Sequence, residues 1–334
     1  MSIIQLNLIQ EKAYKLIQTD ARFIYSIIAN PKKPKSNFIS MLQPYIGMFA
    51  DGAEKWGRKV GMNTPVFSDT EKKYYESMRA SIKFFGMSFQ EFCSILNRIF
   101  RESDEYFANV CNPIAKLNKQ YDNVGVDLQD AIFCGNTILC SIYSPYYKAW
   151  NDNKAYGEFV KTNSIIAGKL VAAYGATLLS PYSINFALNF MDKDYHFFAR
   201  CPLKNNTFEN FCLFSILCNI NFLRIFVDKY FVDEFASKLR FAYLQYYYLT
   251  NFILEINESL STNFSFNAKY KNDCFRNCMA HYGIGQIMCE SDIIETDIMF
   301  GLTNKIFDTP YLDVKNAIYN ELDEIAKQLE KYLF

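Results

Sequence analysis

Apolar residues recur at three- and four-residue steps along most of this chain, the period of a helix with one buried face. Over residues 3–29 the step is kept by Ile9, Ala13, Leu16, Ile17, Ile24 and Ile28. Asn30-Pro31 and Pro34 end that stretch, because a residue ahead of proline is pushed out of the helical region. A second helix is predicted over 37–49, bent at Pro44. Residues 51–65, with Gly52, Gly57 and Gly61, read as the least regular part of the first half. A charged amphipathic helix follows over 69–85, closed by Gly86. Ser88 with Glu91 three residues on forms a capping box, and Phe89, Phe92, Leu96, Ile99 and Phe100 mark one face of the helix it opens.

Further helices are predicted over 106–120, 128–143 and 157–179, with a loop at 121–126 and an interruption at Pro145. The last of the three is rich in small residues that let a neighbouring helix approach closely. Residues 180–207, holding Pro181, Pro202 and the polar run Lys204-Asn205-Asn206-Thr207, read as a linker. Thr207 then caps a helix reaching about Phe231, and Asp233 starts another through about Leu260. A polar loop covers 261–271. The closing helix over 311–333 is strongly periodic, with Val314, Ile318, Leu322, Ile325, Leu329 and Leu333 on one face. The pattern as a whole predicts an all-α protein, a multi-helix bundle. It divides into a helical N-terminal region, 1–200, and a C-terminal helical domain, 205–334.

Composition narrows this picture. Half of the 334 residues are hydrophobic and 17% aromatic, while there are only 13 Gly and 9 Pro. That supplies a large core and argues against disorder and against a many-turned β fold. Thirty-five basic and 35 acidic residues give a net charge of zero. A broad basic face for coating nucleic acid is therefore not expected, and any RNA contact must be local. Residues 31–35, Pro-Lys-Lys-Pro-Lys, are read as a solvated basic loop. Trp56 is read as the packed anchor of a surface loop. The ten scattered cysteines and an N-terminus lacking a basic region followed by an apolar core point to reduced thiols in a cytoplasmic protein. No uninterrupted apolar run reaches membrane-spanning length, and no membrane partner is expected.

Chemistry concentrates in residues 271–285, Lys-Asn-Asp-Cys-Phe-Arg-Asn-Cys-Met-Ala-His-Tyr-Gly-Ile-Gly. Arg276, Asn277 and His281 lie within six residues, and His281 is one of two histidines in the chain. A guanidinium holds phosphate through paired hydrogen bonds, and an imidazole exchanges a proton near neutral pH. On a helix Asn277 and His281, four apart, share a face, with the long Arg276 side chain reaching the same pocket. The other histidine, His196, has no Arg-Asn pair ahead of it and is read as structural or surface.

Arg276-Asn277-x-x-x-His281 resembles the signature of the HEPN superfamily, an Arg followed after four to six residues by a His, with a small polar residue after the Arg. The resemblance covers about residues 205–334. It implies a small helical bundle that dimerises so that two motifs face one cleft. It also implies a metal-independent endoribonuclease without cofactor, in which His281 is the acid/base, Arg276 holds the scissile phosphate and Asn277 orients phosphate or ribose. RNA would be the substrate, and a toxin or antiviral-defence role, with an antitoxin or regulatory partner, would follow.

Two other readings remain open. One is a non-catalytic helical module that binds RNA or protein and keeps the motif for structure. The other uses the same segment as a zinc set, Cys274, Cys278, His281 and Cys289, with a spacing unlike common zinc modules. The chain has no P-loop, dinucleotide fingerprint, nucleophile elbow or His-Glu-x-x-His.

Overall fold

The computed structural model describes residues 6–30, 37–143, 153–294 and 298–334. The basic loop at 31–35 and the interruption at Pro145 lie outside the described residues.

The centre of the fold is α9, Phe208–Asn221, where Thr207 caps the start by accepting from the Asn210 backbone N–H. Every residue of α9 from Asn210 to Asn221 is buried. A helix apolar on all sides has no solvent face, so it must sit in the middle. It continues as a π-helix over Phe222–Tyr230. The whole stretch Phe208–Tyr230 is long and apolar enough to cross a membrane, and 94% of its most apolar window is buried inside this fold.

Around it stand α1 (Leu8–Ala29), α2 (Asn37–Lys59), α3 (Asp69–Ala80) with a 3-10 turn at Ser81–Gly86, and α4 (Phe89–Val110). The second half adds α10 (Ala236–Leu260), α11 (Asp273–Ala280), α12 (Ile298–Phe307) and α13 (Tyr311–Leu333). The protein is mostly helical, as the periodicity predicts. One hydrophobic cluster runs through residues from both the 1–200 and the 205–334 parts.

A small sheet departs from the sequence reading. Residues 128–143, expected as helix, form most of a β-hairpin and a short helix: β1 (Val124–Gln129), β2 (Ile132–Asn136), then α6 (Thr137–Tyr143). β3 (Phe190–Tyr195) comes from the expected linker and gives the antiparallel order β2-β1-β3. Val124, Gly125, Val126, Asp127, Leu128 and Gln129 alternate with period two, which is a strand signal overridden in the helical reading by the apolar run behind it. Gly135 leaves room for Asp127, since a Cβ there would lie 3.0 Å from Asp127 Oδ2. Asp130, in the two-residue turn, has a positive φ of 54°.

Three helix boundaries also shift. α2 does not stop near Phe49; it runs unbroken through Pro44 to Lys59. Of the glycines that suggested irregularity, Gly52 and Gly57 are contact points on this helix, whereas Gly61, with φ +72°, lies just past its end; Gly47 is a contact point too. A Cβ at Gly47 would meet the backbone oxygen of Tyr75 on α3 at 2.5 Å, and one at Gly52 would meet the Tyr282 ring at 3.0 Å. Trp56 lies on this helix, buried and stacked on Tyr14, rather than in a loop. The helix expected over 106–120 breaks at Asn112-Pro113, where the Asn112 side chain caps a separate short helix, α5 (Pro113–Leu117). The small-residue helix, α7, spans Asn153–Ala173 and ends before Gly175, whose φ is +64°. α8 (Phe197–Arg200) also falls within the expected linker.

Candidate functional site

α11 is a short helix with clear ends. Asn272 caps it by accepting from the Phe275 backbone N–H at 2.9 Å. Phe275, Cys278 and Met279 form its buried face, and Phe275 packs edge-on against Tyr243 and Phe307. His281 is the first residue past its end, with extended φ −139° and ψ 159°. Its N–H still donates to the Asn277 carbonyl at 3.1 Å. The expected sharing of a helical face by Asn277 and His281 therefore does not hold: Asn277 is exposed on the helix, and His281 leaves in another direction.

His281 is half-buried, and its ring meets α3. Arg79 Nη2 lies 3.3 Å from His281 Nε2, while Arg79 Nη1 is 2.8 Å from Asp51 Oδ2 on α2. Burial holds the His281 pKa below the ordinary imidazole value. The Arg79 charge adds to that, Asp51 opposes it, and Lys55 and Arg276 act with Arg79. The neutral form of the ring is thereby favoured.

Arg276 points elsewhere. Its guanidinium carbon lies 5.3 Å from the centroid of the Tyr247 ring on α10, and its Nε is buried without a hydrogen-bond partner. It lines a groove of about 240 Å³ with Phe85, Tyr247, Tyr248, Asn251 and Lys271. Lys271 is also set against Tyr247, at 5.5 Å, and donates to Asn251 Oδ1 at 2.6 Å. The Tyr247 hydroxyl donates to Asp273 Oδ1. Tyr248 feels both arginines: burial raises its pKa, and the charges of Arg276 and Arg79 both work against that rise. Arg276 thus opens onto this groove, His281 lies within its electrostatic reach but does not line the groove, and Asn277 faces solvent.

Beneath the motif is a buried network that no sequence motif marks. Arg240 on α10, wholly buried, pairs with Asp20 of α1 and donates from Nε and Nη2 to the Met279 carbonyl at 3.1 and 3.0 Å. Asp20 also accepts from Ser237 Oγ at 2.6 Å and from the Tyr282 hydroxyl. The chain is thus gripped at Met279 and at Tyr282, on both sides of His281. A faint signal existed in the sequence: Asp20 falls on the apolar stripe of α1 beside Leu16, Ile17 and Ile24, and Arg240 interrupts an apolar run. Arg79 and Asp51 carried no comparable signal, since both lie on segments rich in charge.

The four residues of the zinc alternative do not converge. His281 turns to Arg79, Cys289 Sγ bonds Asp292 and Ser291 at 3.0 Å, Cys278 is buried and Cys274 is exposed. Among the described residues no group of three or more His, Cys, Asp and Glu is gathered as a metal ion requires. His196 is in the core, 2% exposed, with its ring edge-on to Tyr121 at 4.8 Å and neither nitrogen hydrogen-bonded. A cavity of about 390 Å³ lies between β1 and the start of α2 and shares no residue with the motif.

No protein-family model matches the chain, and neither a curated protein nor a solved structure gives a match.

Proposed function

We propose that the protein is a metal-independent endoribonuclease of HEPN type, acting on RNA through His281 and Arg276. The observation that carries this reading is a half-buried imidazole, whose protonation is disfavoured by burial, within electrostatic reach of an aromatic groove lined by Arg276 and Lys271 together with Glu255. A neutral imidazole is ready to accept a proton. A groove with two tyrosine rings, Lys271 and the partly unsatisfied Arg276 suits an unpaired base and its phosphate.

The RNA 2′-O–H gives its proton to His281 Nε2. The 2′ oxygen bonds to the adjacent phosphorus as the bond from phosphorus to the 5′ oxygen breaks. That 5′ oxygen takes a proton from water, and the His281 imidazolium passes its proton to the hydroxide left behind, so the ring ends neutral as it began. Arg276 neutralises charge building on the phosphate. Asn277, exposed on α11, is free to orient the ribose. The products are a 2′,3′-cyclic phosphate and a 5′-OH, and DNA, lacking the 2′-OH, is inert.

The experiment is cleavage of labelled RNA in EDTA by wild type, His281→Ala and Arg276→Ala. Cleavage by wild type alone, with cyclic-phosphate ends and no cutting of the matching DNA, supports the reading. Full cutting by His281→Ala ends it.

A second reading has its own support. Arg240 and Tyr282 clamp the segment from within, and Arg79 uses His281 as an acceptor. In that reading the motif is an architectural knot of a non-catalytic module that binds RNA or protein. It predicts RNA binding without cleavage, and a loss of thermal stability in both alanine variants.

A further inference from the structure

His281 is reached from the first half of the chain. α2 and α3 deliver Asp51 and Arg79 to it, and neither belongs to the Arg276–His281 motif. Arg79 sits in the last turn of α3, where a cation is favoured by the helix dipole, and 27% of its side chain is exposed. Asp51 is 2% exposed and also pairs with Lys55 one turn on, at 2.7 Å. The buried carboxylate anchors the guanidinium, and the guanidinium covers the ring nitrogen.

Arginine has donors and no acceptor, so contact between Arg79 Nη2 and His281 Nε2 requires that Nε2 be the bare nitrogen. The proton of the neutral ring is then on Nδ1. We infer that Arg79 is a positioning residue of this site: it fixes His281 as the Nδ1–H tautomer and covers the Nε2 lone pair until a phosphate group draws the guanidinium away. Its purpose rests on the ribonuclease reading above, whereas its geometry does not.

The covered contact is well placed for that exchange. Arg79 Nη2 and His281 Nε2 are neighbours at 3.3 Å, so a group that takes the guanidinium is beside the ring nitrogen. A guanidinium takes two phosphate oxygens in place of one ring nitrogen, a charge-assisted exchange. The 2′-OH then meets the uncovered Nε2. The charged groups facing the ring are Arg79 from α3, Asp51 and Lys55 from α2, and Arg276 from α11. Three of the four are cations, which adds to burial in disfavouring the protonated ring.

The test is nitrogen-15 spectroscopy of protein labelled at its two histidines, assigned with His281→Ala, and it needs no enzymatic activity. In wild type, His281 is expected to show a protonated Nδ1, a bare Nε2 and titration below the ordinary imidazole value. In Arg79→Met, which keeps the length and removes the donors and charge, the ring is expected to move toward the Nε2–H tautomer and its titration to rise toward that value. Inorganic phosphate at tens of millimolar should shift the wild-type His281 signals and leave those of Arg79→Met unmoved. An Nε2–H tautomer in wild type overturns the proposal whether or not the variant folds. So does a wild-type ring that phosphate does not perturb. Absence of RNA cleavage with the Nδ1–H tautomer and phosphate response intact removes the ribonuclease reading and leaves the Arg79 assignment standing.

Discussion

Arg240 and Asp20 lie 220 residues apart in sequence and form a fully buried ion pair whose spare hydrogen bonds hold the chain on either side of His281. Burying two charges is costly, and the structure offsets this by satisfying both completely, through Met279, Ser237 and Tyr282. Such a pair contributes little net stability, yet it is expensive to break.

Removing one partner should therefore cost far more than removing both. Asp20→Ala is expected to destabilise the protein by about 3–5 kcal/mol, because it strands the Arg240 charge. The double variant Asp20→Leu, Arg240→Met should recover much of that loss. Urea denaturation of the three proteins checks this, and a single variant within about 1 kcal/mol of wild type refutes the account.

Acid should weaken the fold through its two histidines. Burial depresses the pKa of both His196 and His281, so the unfolded chain takes up those protons at a higher pH than the folded one. The stability they contribute is fully present above the unfolded imidazole value. It is lost as pH falls through that value toward the lower folded ones. Unfolding free energies at about pH 7.5 and about pH 5.5 should show the decline. His196→Phe, which keeps the edge-on contact with Tyr121, should flatten it.

Asp127 should act in the opposite sense. Burial pushes its carboxyl up to about 7, helped by Asp192 and opposed by the Asn37 amide, which donates to Oδ1 at 3.1 Å. The folded state therefore favours the protonated acid, and the group costs stability progressively as pH rises from the ordinary carboxylate value to about 7. Asp127→Asn keeps the shape and removes the charge. It should raise the melting temperature more at pH 8 than at pH 5, and an equal shift at both pH values counts against a buried charge here.

Gly52 links α2 to the site. A methyl group at this position would press on the Tyr282 ring at 3.0 Å and disturb its bond to Asp20. Gly52→Ala is expected to cost about 1–3 kcal/mol and to loosen His281. Thermal melting reads the first effect and the histidine spectrum the second. A variant as stable as wild type, with unchanged His281 signals, shows that the ring yields freely.

Thiol labelling should sort the cysteines by depth. Cys274 and Cys289 are exposed, whereas Cys134, Cys140, Cys212 and Cys218 are buried, with burial raising their pKa values. An aromatic disulfide reagent should modify Cys274 and Cys289 quickly in the native protein and those four thiols, like the buried Cys278 of α11, only on unfolding. Rapid native labelling of Cys212 or Cys218 would contradict the placement of α9 in the core.

Local chemistry was legible wherever one stretch of chain decides the outcome. The Ser88 and Thr207 caps, the periodic face of α13 and the polar loop ahead of α11 all follow from residues a few positions apart. Gly52 and Gly57 misled, because in isolation a glycine signals a break. Only the approach of Tyr282 and of Thr64 reveals them as space left for a neighbour. The strand at 124–129 was missed for a related reason. One partner, β2, follows after a two-residue turn, but the other, β3, lies some sixty residues on, and strand pairing is decided by what is available across the sheet.

The sequence by itself determined the helical class, the fully buried character of α9 and the nearness of Arg276, Asn277 and His281 along the chain. Those depend on periodicity and on covalent neighbours. The tertiary structure decided which way each of the three faces: Arg276 toward Tyr247, Asn277 to solvent and His281 onto Arg79. It also decided that Asp20, Asp51 and Arg79, all from the first eighty residues, surround a motif near the end. A side chain's direction is set by where its helix stops and by what packs against it, and for His281 both were supplied by distant parts of the chain.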